Sequence, residues 1–97
     1  MATYIGLTRL TDQGMRNVKE TTKRAEAVKA AAGKFGVRVK EIFWTLGKYD
    51  IVTVSEADDE AAATAFTLSI GSLGNTRTQT MRAFSGDEMN AILGKMP

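Results

Sequence analysis

A single glycine–lysine pair separates two strand-like segments near the middle of this chain. The segments Val37 to Leu46 and Tyr49 to Glu56 are rich in β-branched and aromatic residues, a composition that favours strands. Gly47 and Lys48 fit a two-residue type II′ turn, because the first central position of that turn has a positive φ and favours glycine. The sequence therefore predicts a β-hairpin, and the fold has to include an antiparallel pair of strands.

Hydrophobic spacing and capping residues predict the elements on either side of this hairpin. In chain order they are a strand over Ala2 to Leu10, a helix that starts at Thr11 or Asp12 and ends at Gly33 or Gly36, a second helix from Ala57 to Leu73, a strand over Thr76 to Phe84 and a short last helix from Ser85. Within the first helix, Glu20 and Arg24 are predicted to form an i,i+4 ion pair. The order β-α-β-β-α-β predicts an α+β, ferredoxin-like fold with a four-stranded antiparallel sheet and a C-terminal helix. No linker divides the sequence, so residues 1–97 are predicted to form one domain.

Alternation along the strands predicts which side chains face the two helices. The more apolar set is assigned to the helix side: Ile5, Leu7, Val37, Val39, Phe43, Val52, Val54, Met81 and Ala83. The opposite, open side would then carry a semi-polar set: Tyr4, Thr8, Lys40, Ile42, Trp44, Ile51, Thr53, Ser55, Thr80 and Arg82. Glu41 does not fit the inner set, and a β-bulge near it would resolve the conflict. Two such open sides packed together would enclose a semi-polar lumen.

The composition excludes several classes of site. The chain has no cysteine and no histidine, so disulfides and His- or Cys-ligated metals are impossible, and no metal or cofactor is predicted. A net charge of +2 is too small to indicate nucleic-acid binding. No segment has the pattern of a signal peptide or the length of a membrane span, so we expect a cytoplasmic protein that does not bind membranes. Oligomerisation is a common source of stability for a domain of this size, and a homo-oligomer is expected.

Three segments of the sequence resemble the GYD-domain family of small bacterial and archaeal proteins. They are the opening strand Tyr4 to Thr8, the signature Leu46-Gly47-Lys48-Tyr49-Asp50-Ile51-Val52, and the stretch Gly74 to Phe84, which is similar to the last strand of the family. The resemblance implies a dimeric α+β barrel in which two sheets face each other. It implies no particular reaction, because the family has no well-established shared activity.

Four side chains are candidates for contact with a ligand: Tyr4, Trp44, Tyr49 and Arg82. Arg82 would bind a carboxylate or phosphate through its planar guanidinium, and the alternative is a salt bridge within the dimer. Trp44 would stack on a ligand or bury itself between subunits. In the Gly47, Tyr49 and Asp50 motif, the glycine serves the turn and the tyrosine faces the open side, as a ligand contact or by packing at the interface. Asp50 points the other way, where it would cap a backbone group or pair with a cation.

Two functional hypotheses from different classes follow. The first is a small homo-oligomeric binding or regulatory module that holds a small anionic or aromatic molecule, either between sheet and helices or in the lumen. The alternative is a cofactor-independent enzyme, similar to the monooxygenases or isomerases of the dimeric α+β barrel class, that uses Tyr49, Asp50 or Arg82. The sequence lacks histidine, cysteine and the usual nucleotide and serine-hydrolase motifs, which favours the binding hypothesis. A purely structural subunit with a dry lumen is the third alternative.

Overall fold

Four antiparallel strands form one sheet in the computed structural model, which describes residues 1–97. In chain order they are β1 (Ala2–Leu10), β2 (Val37–Trp44), β3 (Ile51–Ala57) and β4 (Thr76–Ala83). They lie side by side in the order β2-β3-β1-β4, and each neighbouring pair is antiparallel. The first and third strands thus occupy the centre, as in a ferredoxin-like fold. The predicted α+β, ferredoxin-like class is confirmed.

Four α-helices and two 3₁₀ turns connect and flank the strands. They are α1 (Asp12–Arg16), a 3₁₀ turn (Val18–Glu20), α2 (Thr21–Ala32), a second 3₁₀ turn (Gly33–Phe35), α3 (Glu60–Ser72) and α4 (Gly86–Leu93). The prediction of one continuous helix after β1 is wrong, because the backbone leaves helical geometry at Asn17, where φ is −108° and ψ is 23°. None of the helices has the length and apolarity that a bilayer crossing requires.

Local sequence signals fix the ends of these helices. The Thr11 hydroxyl caps α1 by accepting a hydrogen bond from the Gly14 N–H over 3.1 Å, and the Asp59 carboxylate caps α3 through two N–H groups of its first turn. Gly36, one of the two predicted helix ends, follows the second 3₁₀ turn in the left-handed conformation that glycine adopts readily, with a φ of 71°. The connections between the helices and the sheet are therefore determined largely by nearby residues.

The connection between β2 and β3 is longer than the predicted two-residue turn. β2 ends at Trp44 and β3 begins at Ile51, which leaves a loop over residues 45–50. Gly47 has the predicted positive φ, 114°. The predicted strand ends are wrong by two residues on each side of the turn. Asp50 is held on both sides: its N–H donates to the carbonyl oxygen of Thr8 on β1 and its carbonyl oxygen accepts from the Thr45 N–H, each over 2.8 Å.

The helices cover the side of the sheet that alternation assigned to the open side. Gly6 pairs with Thr53 on one neighbouring strand and with Thr80 on the other, and all three border the space beneath α2 and α3. The prediction of the two faces is therefore wrong, because it assumed that the helices cover the more apolar side. The side chains that face the helices, against the prediction, are those of Tyr4, Thr8, Ile42, Trp44, Ile51, Ser55 and Arg82. Those that face away from the helices, also against the prediction, are Ile5, Leu7, Phe43, Val52, Val54, Met81 and Ala83.

A β-bulge between Val39 and Glu41 confirms the irregularity predicted in β2. Before the bulge, Val37 and Val39 face the helices, as predicted. Lys40 faces away from them, also as predicted, with its Nζ atom 3.9 Å from the carboxylate of Glu56. The extra residue lets both halves of the strand present side chains to the helices.

The side of the sheet without helices has an apolar centre. We call this centre the uncovered face, and it consists of Ile5, Leu7, Phe43, Val52, Val54 and Met81. Polar and charged residues flank it on the same side, namely Arg38, Glu41, Glu56, Arg77 and Gln79. The Phe43 side chain is 54% exposed and Met81 is 38% exposed. Apolar surface in water is unfavourable by about 25 cal/mol per Å², and a contiguous exposed patch is typical of an interaction surface.

The packed core is confined to one end of the sheet. Ala32, Val37 and Ala57 are its buried apolar residues, and the rings of Phe35 and Phe66 pack beside them with centroids 5.5 Å apart. The helices close onto the sheet at this end. Beyond this core a space is left between the sheet and helices α2 and α3.

The last helix makes little contact with the rest of the molecule. Within α4 only Glu88 is partly buried. Ser85 and Glu88 form a capping box at its start: the Glu88 N–H donates to the Ser85 hydroxyl over 3.1 Å, and the Ser85 N–H donates to the Glu88 carboxylate over 2.9 Å. The helix is therefore stabilised mainly at its first turn.

Candidate functional site

A cavity of about 490 Å³ lies between the sheet and helices α2 and α3. This volume falls in the range of small-molecule sites, about 300–1,000 Å³. Gly6 lies on its floor, and a Cβ atom there would come within 2.5 Å of the Thr53 hydroxyl oxygen. The absence of a side chain at this glycine in the middle of β1 therefore leaves room for the Thr53 side chain and adds to the depth of the cavity.

Small and hydroxyl-bearing side chains form most of the floor. The hydroxyls of Thr8 and Thr78 share a hydrogen bond of 2.9 Å between β1 and β4. Four further hydroxyl groups of the sheet, those of Thr53, Ser55, Thr76 and Thr80, also border the cavity. The floor thus offers several weak donors and acceptors and no carboxylate.

The walls come from the inward stripes of the two covering helices. On α2 the bordering residues recur mostly every three or four positions, which places most of them on one face of the helix: Thr21, Arg24, Ala25, Ala27, Val28 and Ala31. On α3 they are Ala63, Thr64, Phe66, Thr67, Ile70 and, just beyond the helix, Leu73. Arg24 was not recognised as a site residue from the sequence.

Tyr4 borders the cavity at its packed end. Its ring packs against the core. The guanidinium carbon of Arg82 lies 5.9 Å from the centroid of this ring. Of the four predicted contact residues, Tyr4 is the one that borders this cavity.

Arg82 is engaged within its own chain. Its guanidinium lies 4.4 Å from the centroid of the Phe84 ring, an Nη2–Oε2 distance of 3.6 Å joins it to Glu88, and it donates to the Ala83 carbonyl oxygen. It borders neither of the two main cavities. The guanidinium therefore connects β4 to the first turn of α4.

Trp44 connects β2 to the start of α2. Its indole Nε1–H donates to the Thr21 hydroxyl oxygen over 3.0 Å, and 46% of the residue is exposed. Thr21 borders the cavity. The tryptophan therefore positions a hydroxyl that belongs to the cavity wall.

Tyr49 lies in a separate, shallower cleft of about 250 Å³ at the other side of the sheet. Its hydroxyl donates to the side-chain carbonyl oxygen of Gln79 over 2.9 Å. The cations of Arg9 and Lys48 lie 5.9 and 5.7 Å from the centroid of its ring. Arg77 also borders this cleft and is directly opposite Arg9 on the neighbouring strand. The signature tyrosine is thus surrounded by positive charge.

The predicted ion pair between Glu20 and Arg24 is wrong. Glu20 pairs with Lys23 instead, with 3.4 Å between Nζ and Oε2. Glu20 is the N-cap residue of α2, and its φ of −95° and ψ of 7° are not helical, so the i,i+4 geometry of a continuous helix does not apply to it. Arg24 forms none of the ion pairs of this chain and borders the cavity. The three-to-four spacing of Thr21, Arg24 and Val28 is the signal that could have identified it.

The titratable groups include one clear perturbation, outside both cavities. The hydrogen bond from the Ser85 backbone N–H lowers the pKa of Glu88 below its ordinary value of 4.5. Desolvation opposes this shift, and the Ser85 hydroxyl and the Arg82 guanidinium add to it. No three acidic side chains gather at a point that would hold a metal ion.

Comparison with known proteins gives one family and one curated relative. The family model described as GYD domain matches residues 4–93. The relative is a protein of Thermus thermophilus named "Glutamine synthetase and cystathionine beta-lyase binding protein". It is 37% identical over 94 residues, which cover 96% of this chain and 99% of the relative.

Three solved structures share the fold. The crystal structure of FFRP-DM1 superposes with a TM-score of 0.60 at 24% identity, covering 87% of this chain and all of the other. TTHA0845 from Thermus thermophilus superposes with a TM-score of 0.57 at 25% identity, and the match covers 89% of this chain and 96% of TTHA0845. The hypothetical protein PHS023 from Pyrococcus horikoshii superposes with a TM-score of 0.58 at 24% identity, and the match covers 88% of this chain and 92% of PHS023.

Proposed function

This chain belongs to the GYD-domain family, and from that premise we propose that it is a binding module that holds a small, largely apolar molecule between its sheet and helices α2 and α3. The observation that supports this most is the cavity of about 490 Å³ in a domain of 97 residues. A concave, largely apolar space of this size with a few polar groups is typical of small-molecule sites. Alanines and a glycine maintain the space, and an occupant would supply the missing contacts.

The lining favours binding over catalysis. It supplies one guanidinium, one phenol, hydroxyls and apolar side chains, which position a ligand through charge, hydrogen bonds and contact. Of the predicted contacts, we assign Tyr4 to this cavity. Trp44 contributes to the cavity indirectly, because its indole N–H binds the Thr21 hydroxyl of the cavity wall. We assign Tyr49, which borders the separate cleft, to partner contacts, whereas Arg82 is engaged within its own chain.

The test uses octanoate as the probe and isothermal titration calorimetry as the readout. Ala25 borders the cavity, whereas Ala30 is an exposed residue of the same helix that does not. Ala25→Phe fills the space, so we expect octanoate affinity to fall at least tenfold. Ala30→Phe adds the same ring outside the cavity and is expected to bind as the wild type does. Absence of binding to the wild type, or equal binding to Ala25→Phe, would contradict the proposal.

We also propose that two copies pair through their uncovered faces. The predicted semi-polar lumen is replaced in this arrangement by a dry interface, because the uncovered face is the apolar one. The exposed Phe43 and Met81 side chains support this, since pairing would remove them from water. The cavity lies on the other side of the sheet and stays accessible in such a dimer. We retain the cytoplasm as the proposed compartment on the basis of the cysteine-free composition.

Regulation of other proteins is the second candidate function. The curated relative is named for binding glutamine synthetase and cystathionine β-lyase, and we propose that this chain also docks onto metabolic enzymes. Surface plasmon resonance with these two enzymes from the same organism as this chain tests the idea. Saturable binding of either enzyme is the expected result, and no response at the highest soluble concentration contradicts it.

A further inference from the structure

Arg24 is the one charged side chain that borders the cavity. The other bordering residues are apolar, hydroxyl-bearing or amide side chains, and none is aspartate, glutamate or lysine. Arg24 is partly buried on the inward stripe of α2, between Thr21 and Val28. A permanent positive charge therefore adjoins an otherwise neutral space.

No carboxylate of this chain neutralises that charge. The two acids closest to it in sequence are already paired, Glu20 with Lys23 at 3.4 Å and Glu26 with Lys29 at 3.8 Å. The remaining ion pairs involve Asp58, Glu56 and Glu88, none of them with Arg24. A guanidinium facing a semi-enclosed apolar space is less well solvated than one on the surface, and it attracts an anion more strongly as the effective dielectric falls.

A hydroxyl lies on the same face of α2 as Arg24. Thr21 and Arg24 are separated by three positions on this helix, and both border the cavity. The Thr21 oxygen accepts the indole N–H of Trp44 over 3.0 Å, and its own O–H remains available as a donor. Arg24 and Thr21 therefore offer N–H groups and an O–H to the two oxygens of a carboxylate.

We propose that the cavity takes a small monocarboxylic acid with an apolar body, whose carboxylate is held by Arg24 and the Thr21 hydroxyl. This inference rests on the proposed binding function and specifies its ligand class. A single guanidinium balances a single negative charge. The apolar walls formed by Val28, Phe66 and Ile70 accommodate the hydrocarbon part of the ligand. A free inorganic phosphate would leave those walls without contacts.

The experiment compares octanoate with octanamide, a neutral molecule of nearly the same shape, by isothermal titration calorimetry at neutral pH. We expect the wild type to bind octanoate at least tenfold more tightly than octanamide, the factor that corresponds to about 1.4 kcal/mol. Arg24→Gln should abolish this preference by weakening octanoate binding alone. Arg16→Gln removes the same charge from an exposed position on α1 that does not border the cavity, and it should leave the preference intact.

The outcomes separate this inference from the function on which it rests. If the wild type binds both probes equally well, the carboxylate assignment is overturned while the binding function stands. If neither probe binds, both are overturned. If Arg24→Gln and Arg16→Gln reduce octanoate affinity equally, the effect comes from net charge, and the site assigned to Arg24 is wrong. Because the octanoate-to-octanamide ratio of the wild type is itself informative, the test does not depend on either variant being stable.

Discussion

The carboxylate of Asp50 accepts a hydrogen bond from the backbone N–H of Leu10 over 2.8 Å, which ties the loop between β2 and β3 to the end of β1. The Asp50 N–H donates to the Thr8 carbonyl oxygen of the same strand. One residue of the family signature thus satisfies two backbone groups at the edge of the central strand. This contact fixes where β3 begins, and with it the register that places Ile51 and Thr53 beneath the helices.

Asp50→Ala should destabilise the fold. It leaves the Leu10 N–H without its charged acceptor, and loss of such a bond costs about 1–3 kcal/mol of unfolding free energy. Asp50→Asn keeps an acceptor oxygen and should cost less. Urea denaturation measures both. Asp58→Ala is the matched control, because Asp58 is exposed and contacts only the terminal amine. Equal losses from Asp50→Ala and Asp58→Ala would contradict the role given to Asp50.

Gly14→Ala should destabilise the fold for a different reason. A Cβ atom at Gly14 would overlap the backbone carbonyl oxygen of Asn75, where α1 meets the start of β4. The clash is with backbone, so α1 has to move, and overpacking of this kind costs about 1–3 kcal/mol. Gly33→Ala is the control, since Gly33 has helical φ and ψ and no atom within 4 Å of a Cβ. We expect it to be neutral or slightly stabilising in thermal unfolding, and a Gly14→Ala variant equal to it would refute the close approach.

The stability of α4 should depend on pH through Glu88. The pKa of Glu88 is lowered in the folded chain, chiefly by the Ser85 backbone N–H. A carboxylate with a lowered pKa stabilises the folded form at pH values above its unfolded pKa, and this contribution is lost as pH falls through the folded pKa. We therefore expect the α4 amides to exchange faster with deuterium as pH falls below 4.5, after correction for intrinsic exchange rates.

Glu88→Gln provides the matched comparison for that titration. Glutamine preserves the capping box but carries no titratable group, so the corrected exchange of α4 should show no acid transition. An identical acid transition in the wild type and in Glu88→Gln would assign the effect to another carboxylate.

Val52→Lys should convert the proposed dimer to a monomer. Val52 lies on the uncovered face between Leu7 on β1 and Phe43 on β2, and a buried unpaired ammonium there is strongly unfavourable. Ala30→Lys adds the same charge to an exposed helix position and should leave the dimer intact. Light scattering coupled to size exclusion measures the mass of each. A monomeric wild type, or a dimeric Val52→Lys variant, would exclude the uncovered face as the interface.

Local signals in the sequence predict much of the fold. The element order follows from periodicity, and the positive φ values of Gly36 and Gly47 follow from the turns they occupy. The poor fit of Glu41 correctly indicates the bulge in β2. The resemblance carried by the signature around Tyr49 and Asp50 is confirmed by the family match over residues 4–93.

The faces of the sheet could not be predicted in the same way. Alternation shows that Val52 and Thr53 point to opposite sides, but it does not show which side the helices cover. The usual assumption, that helices cover the more apolar side, fails here because a cavity lies under the helices. The missed Arg24 has a related cause. Its apparent partner Glu20 lies in a 3₁₀ turn whose geometry differs from the continuous helix that the i,i+4 rule requires.

Intermolecular NOEs between octanoate and methyl-labelled protein test most directly the claim that the ligand site lies between the sheet and the helices. Val28 and Ile70 border the cavity from α2 and α3, whereas Val52 and Val54 lie on the uncovered face of the same sheet. We expect NOEs from octanoate chain protons to the methyl groups of Val28 and Ile70 and none to those of Val52 and Val54. NOEs confined to Val52 and Val54, or no NOEs to any of the four residues, would contradict it.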